Sequence, residues 1–442
     1  MRSRRAVISL LEKEWLELVS ARAFWVLLVA MGPLVGVSFI SAAHTYAEVS
    51  GLNGTAAGVG EALSPLIGVW APTFSACELA AVFLLPFVAI RMVAGDRQSG
   101  ALRLELQQAM SPLTRIAAKA LILLAGWGLA MLIPLSAVLL WKLNGGTVYL
   151  PEIAATVAGH VLNASLAIAL AAAMASLTEH PSTAAILTLT FTTGTWIVDF
   201  FAAVRGGWWE RAAAYTPTAM VAEFQHGLVR LDAVLATLAL IVTGLGVAAI
   251  WMRLGVTVGR RVWESAAMCA MGAALVMACT LSSASRDLSE NRGNSFSRAD
   301  EQALRAIQTQ LRIEVHLAQE DPRRADLEHH ALQKLRRVMP RVEIQYVAAS
   351  SIGLFEQNTA RYGEIWYELG GRKEMSRVTT EEGVLETIYT VAGVTPGAEN
   401  REEVFRGHPM ATEPRYSGFI FYLLWPALLV GSKWMLERGG SQ

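Results

Sequence analysis

Charge is scarce in this 442-residue chain: Asp, Glu, Lys and Arg together make up 17% of it, against 53% hydrophobic residues. That balance excludes an ordinary water-soluble domain, whose surface needs more polar cover. Neither sign is in excess, with 37 basic and 37 acidic side chains. No global basic field draws nucleic acid to the chain, so no nucleic-acid partner is expected. Cysteine is nearly absent. Cys77, Cys269 and Cys279 lie in apolar stretches without metal-ligand spacing, which excludes a disulfide framework and a cysteine metal site. A Gly-x-x-x-x-Gly-Lys-Ser/Thr phosphate loop is also missing. The chain is therefore expected to hold no nucleotide, cofactor or metal of its own. The opening segment "MRSRRAVISLLEKEWLELVSARAFW" has neither the short apolar core nor the small-residue cleavage site of a signal peptide. The first apolar segment is accordingly expected to be retained.

What the chain does have is long apolar runs. A helix needs about 20 mostly apolar residues to cross hydrocarbon, and eight stretches qualify: 23–43, 73–93, 120–141, 153–177, 184–204, 233–252, 265–282 and 418–434. Basic residues orient them. Arg2, Arg4, Arg5, Lys13 and Arg22 precede the first span, Arg97, Arg103, Arg115 and Lys119 follow the second, and Arg253, Arg260 and Arg261 follow the sixth. By the positive-inside rule both termini are cytoplasmic. Arg205, Arg211 and Arg230, between the fifth and sixth spans, are the exception.

Between the second and third spans stands the polar stretch "AGDRQSGALRLELQQAMSPLTRIAAKA". Leu102, Leu106 and Ala109 or Met110 share one helical face, Arg103 and Gln107 another, and Pro112 stops the pattern. The order Asp96-Arg97, Gly100, an apolar helix to Leu106, Ser111-Pro112, Arg115 and Lys119 resembles the first cytoplasmic loop of ABC-2-type transporter permeases. In that family this helix is the coupling helix, which docks on a separate ATPase. The resemblance makes Asp96, Arg97, Gly100, Leu102, Arg103, Leu106, Pro112 and Arg115 the expected ATPase contact. It covers roughly the first 260 residues. Val7, Leu11, Trp15 and Leu18 recur at helical spacing and predict an interfacial helix over 1–22, similar to the family's elbow helix. Trp208, Trp209, Tyr215 and Phe224 suit helices dipping into the outer interface, where the family has re-entrant helices.

After the seventh span the pattern turns globular. Ser297 with Asp300 opens a helix, "RIEVHL" alternates as a strand, Asp321-Pro322 starts a helix ending near Met339, and "RVEIQYV" alternates again. An "EIWYEL" strand follows, then Thr379-x-x-Glu382 and a helix through Val391. The alternation predicts a small α/β domain over 286–415 with a largely parallel sheet. Asp287, Asn291-Arg292, Phe296-Ser297 and the "LQKLRRVMP" helix make this segment similar to the extracytoplasmic domain of gliding-motility-type auxiliary ABC proteins. Gly407-His408-Pro409 is read as loop.

The expected architecture is thus a polytopic helical membrane protein. It has a six-helix ABC-2-type core over 23–260, a seventh span over 261–285, an inserted extracytoplasmic α/β domain, and an eighth span with its tail over 416–442. Ionisable residues inside spans are costly, which makes Glu78, His160 and Asp199 candidates for a translocation path. Glu78 and Asp199 sit toward the ends of their spans, where snorkelling to the interface also accounts for them. The expected function is the permease subunit of an ATP-driven exporter in a bacterial inner membrane. The alternative is a non-transporting subunit passing ATPase-driven motion to an extracytoplasmic protein partner. Either way the resemblance implies two copies of an ABC ATPase holding ATP and Mg, and a second permease copy or a similar permease, in contact with membrane lipids. An enzyme is not expected, because no outer Ser/His/Asp grouping is legible.

Overall fold

The computed structural model describes residues 2–49, 64–98, 110–205, 208–253, 255–282, 284–318, 321–339, 341–347, 361–394 and 415–439. The chain divides into two compact units, one of Met1–Ala202, Gly207–Leu288 and Phe405–Gln442, the other of Ala203–Gly206 and Ser289–Val404.

The first unit is a polytopic helical bundle. Eight helices are long and apolar enough to cross a membrane: Arg22–Val49, Leu66–Gly95, Pro112–Leu143, Leu150–Leu177, Pro181–Ala202, Leu231–Trp251, Val258–Cys279 and Ser417–Leu436. Each contains one of the eight stretches expected from hydropathy or most of it, and several extend further. The second starts seven residues before position 73 and the seventh seven before position 265, because helices continue past the apolar window into capped or charged ends. The second and third spans carry a break at Leu84 and Met131, two and three residues before Pro86 and Pro134. A proline ring removes a backbone donor and crowds the preceding turn, so the interruption falls there.

The fourth span is the hub, packing against the second, third and sixth spans and the short helix Pro217–Gln225. Its small residues allow this. A Cβ on Gly244 of the sixth span would meet the Ala169 carbonyl oxygen at 3.1 Å, and Ala167, Ala171 and Ala172 are buried. Close approach through small residues is how helices associate where lipid removes the hydrophobic drive. The seventh and eighth spans are largely exposed along their length.

The N-terminal helix Arg2–Ser20 lies against the third span. Its buried stripe differs from the expected one: Leu10, Glu14 and Leu18 are buried while Trp15 is exposed. The reason is an ion pair. Lys119 Nζ donates to Glu14 Oε2 at 2.6 Å, both side chains being 2% exposed or less, and Glu17 stands 3.9 Å from the same ammonium. A buried carboxylate with a cation partner turns the helix by about one residue from its purely apolar face.

Between the fifth and sixth spans lie two short helices, Trp208–Ala213 and Pro217–Gln225, followed by strand β1 (Leu228–Arg230). Strand β2 (Ser285–Asp287) pairs antiparallel with β1, Leu228 opposite Asp287 and Arg230 opposite Ser285. Hydrogen bonding to β1 holds residues through Leu288 in the first unit, two positions beyond the expected domain start at 286.

The second unit contains a four-stranded sheet, β3 (Leu311–Val315), β4 (Val342–Tyr346), β5 (Ile365–Leu369) and β6 (Arg372–Ser376), in the order β4-β3-β5-β6. Only β3 and β4 are parallel, while β3–β5 and β5–β6 are antiparallel. The expectation of a largely parallel sheet is thus corrected. Gly370 and Gly371, at φ +57 and +84, make a two-residue hairpin turn that can only send the chain back antiparallel. The capping residue of the last helix, Glu381–Ala392, is likewise Thr380 and not Thr379. Alternate residues of β3 and β5, among them Ile313, Val315, Ile365 and Tyr367, are buried beneath helix residues Leu304, Leu335, Val384 and Ile388. Ser297 and Asp321 cap the helices they precede, accepting from the backbone N–H of Asp300 and Arg323. Arg323 beside Asp321, with Tyr362 donating as well, holds that carboxyl down at about 2.

Candidate functional site

Successive spans run in opposite directions, so the Glu14–Lys119 base lies at one end of the bundle and the connection between the fifth and sixth spans at the other. At that far end the short helix Pro217–Gln225 is clamped in place. Thr216 caps it, accepting from Ala219 N–H, and donates from the same hydroxyl to Asp199 Oδ1 at 2.8 Å. At its other end Gln225 Nε2 meets His160 Nε2 at 3.1 Å. Phe224 lies over Gly159, where a Cβ would come within 2.5 Å of the Phe224 Cβ. Glycine is required at that crossing by space, not by backbone conformation.

The same clamp accounts for Arg230, one of the three residues in the exception to the charge rule. Arg230 grips Asp232 through two nitrogens, at 3.1 and 2.6 Å, and Glu223 through a third at 2.6 Å. Tyr215 donates to Asp232 at 3.0 Å. A guanidinium fork matched to carboxylates fixes geometry as well as charge, so Arg230 builds the connection and does not report membrane sidedness.

Within this end of the bundle the second, fourth and fifth spans enclose a small cavity of about 30 Å³, bordered also by Pro217 and Thr218. That is room for about two waters. Glu78 lines it. Its carboxylate interacts with the Thr218 side chain, which also interacts with Asp199. Two of the three intramembrane candidates are therefore neighbours, with Thr218 beside both. Glu78 does not lie near a span end, as expected for a snorkelling residue: the second span starts at Leu66 and places Glu78 well inside it. Asp199 lies near the end of its span, and its partner Thr216 turns it inward. His160 does not line the cavity. It is fully buried, stacks on Phe74 with ring centroids 5.7 Å apart, and serves the clamp through Gln225. One turn on, Asn163 is 4% exposed and does line the cavity. Asn163, Thr216, Thr218 and Gln225 were not singled out from the sequence. Only Asn163 carried a signal there, as a second polar residue three positions from His160 and so on the same helical face.

At the base, Ser111 caps the third span by accepting from Thr114 N–H at 3.1 Å, and Pro112 takes the first helical position. That position needs no donor, so proline suits it. Arg115, expected as a rim contact for a partner, is only 2% exposed. Its one-turn spacing from Lys119 puts both on the face of the third span that packs inside the bundle. Asp96 and Arg97 fall in the helix Leu85–Gln98, with side chains outside the described residues. Gly100, Leu102, Arg103 and Leu106, and likewise Gly407-His408-Pro409, lie outside the described residues altogether.

Comparison of the chain with protein-family models, curated proteins and solved structures finds no match.

Proposed function

We propose that the chain is the permease subunit of an ATP-driven ABC exporter, pairing with a second copy or a similar permease. Two copies of a separate ATPase, binding ATP and Mg, would drive it from the cytoplasmic face of a bacterial inner membrane, with both termini on that face. The observation that carries the reading is the buried Glu14–Lys119 pair at the base of the third span. It binds the N-terminal helix to the span that opens immediately after the polar 94–111 connection. A push on that connection would therefore be received by a rigid pair of helices, not by a loose loop. The cavity at the opposite end, with Glu78 and Asn163 in its wall, supports a path that such a push would open and close.

The alternative, a subunit that passes motion to an extracytoplasmic protein, has one observation in its favour. The β1–β2 ribbon ties the start of the sixth span to the strand from which the chain passes into the second unit at Ser289. Motion of the clamp would thus be felt at that connection.

The test is the Leu106→Asp substitution. An unpaired carboxylate placed in a docking groove costs on the order of several kcal/mol, and residue 106 is outside the apolar spans. Normal membrane abundance with loss of ATPase co-purification is the expected result. A variant that inserts and keeps full substrate-responsive ATPase coupling would overturn the reading.

A further inference from the structure

We infer that the cavity between the second, fourth and fifth spans receives the ammonium group of an amphiphilic organic cation, an inference that rests on the permease reading for its role as substrate site. The Glu78 carboxylate lines the cavity, Asp199 stands outside the lining but close enough for its charge to act on Glu78, and among the described residues neither forms a salt bridge. Asp199 accepts from the Thr216 hydroxyl through Oδ1, while its buried Oδ2 has no hydrogen-bond partner. A positive charge entering between them would be attracted by both, strongly so in a site with little water. A third group points to a ligand with N–H donors. Asn163, 96% buried by its 4% exposure, opens on the same cavity. Among the described residues no hydrogen bond holds its amide. Its oxygen, open on the cavity, is available to an incoming donor.

The remaining wall is mostly apolar and aromatic. Trp196 lines the cavity, held edge-to-face by Phe83 with centroids 5.8 Å apart, and indole is the best ring for a cation. Leu166, Leu170 and Phe191 line it beside Thr192 and Thr195, and Phe191 is 54% exposed at the outside of the bundle. The cavity holds one ammonium head and little more, so an attached apolar chain must leave along these residues toward lipid. A metal ion fits less well: no group of three His, Cys, Asp or Glu side chains among the described residues is arranged to hold one. An anionic headgroup would meet two carboxylates.

The experiment is equilibrium binding of radiolabelled octylamine to the purified full-length protein, with octanol and octyl sulfate as competitors. Saturable binding displaced by excess unlabelled octylamine, and by neither competitor, is expected. Glu78→Gln and Asp199→Asn should each weaken it about ten-fold or more, and Asn163→Leu about three-fold. Should a carboxylate variant fail to purify as a monodisperse protein, Trp196→Leu serves in its place, with weakening of about three-fold or more expected. Non-saturable uptake, equal displacement by octanol, or affinity unchanged in these variants overturns the inference. ATPase co-purification of the unsubstituted protein is measured alongside. Failed amine binding with the ATPase retained sinks this inference alone, whereas loss of the ATPase sinks the permease reading.

Discussion

Glu14 and Lys119 show most clearly what a single residue does in this bundle. Each is almost wholly removed from solvent, and their 2.6 Å contact is what makes that burial tolerable. Removing Lys119 leaves the buried Glu14 carboxylate with the exposed Lys13 at 3.3 Å in place of a buried cation. Lys119→Met should therefore destabilise the protein by about 3–5 kcal/mol, while the double change Glu14→Leu with Lys119→Met should recover most of that loss. Thermal unfolding in detergent, followed by intrinsic fluorescence, distinguishes the two variants; a single substitution no worse than the double would show the pair to be incidental. The pair was half legible in the sequence. Glu14 lies one turn from both Leu10 and Leu18, on the stripe that a helix buries, but only the packed partner reveals why a carboxylate belongs there.

Among the elements, the eighth span depends on two glycines of the first. A Cβ on Gly36 would come within 2.6 Å of the Phe421 Cβ, and one on Gly32 within 2.9 Å of the Phe421 carbonyl oxygen. Trp425 donates to the Leu28 carbonyl at 3.0 Å beside them. The four-residue spacing of Gly32 and Gly36 makes a smooth face on which a large aromatic can lie. Gly36→Leu should push the eighth span off this face. Overpacking of this kind costs about 1–3 kcal/mol, and Gly36→Leu combined with Phe421→Ala should restore part of it. Unfolding midpoints of the three proteins check the expectation; equal midpoints for Gly36→Leu and the unsubstituted chain would refute the contact. The eight elements themselves were legible because apolar length is a property of the local chain. Sheet direction was less legible: the Gly370-Gly371 turn fixes only the β5–β6 reversal, and the antiparallel pairing of β5 with β3 is a long-range contact that no local pattern specifies.

For the molecule as a whole, the orientation proposed from the basic residues has a direct check. The second unit is inserted between the seventh and eighth spans, and an odd number of crossings precedes it. A cysteine introduced at Ser350 should react with an impermeant thiol reagent added outside the inner membrane, and one at Gln107 only after permeabilisation. Cys269 and Cys279 are exposed or partly so and must first be replaced, whereas Cys77 is buried. The reverse pattern of labelling would overturn the orientation. Arg230 does not weigh against it, since Glu223 and Asp232 neutralise that residue where it stands.

Hydropathy alone determined that this is a multi-spanning helical protein, because the cost of leaving backbone and charge in hydrocarbon is paid locally, within each stretch of about 20 residues. Helix starts at Ser297 and Asp321 were local too, since a cap reaches only three residues along the chain. The meeting of Glu78 with Asp199 across Thr218, the diversion of His160 to Gln225, and the burial of Arg115 and Glu14 were decided by tertiary structure. Each depends on which faces of helices distant in sequence are brought together, and on small residues such as Gly159 and Gly244 that set how closely those helices approach. Hydropathy measures whether a residue is buried; only packing determines what it is buried against.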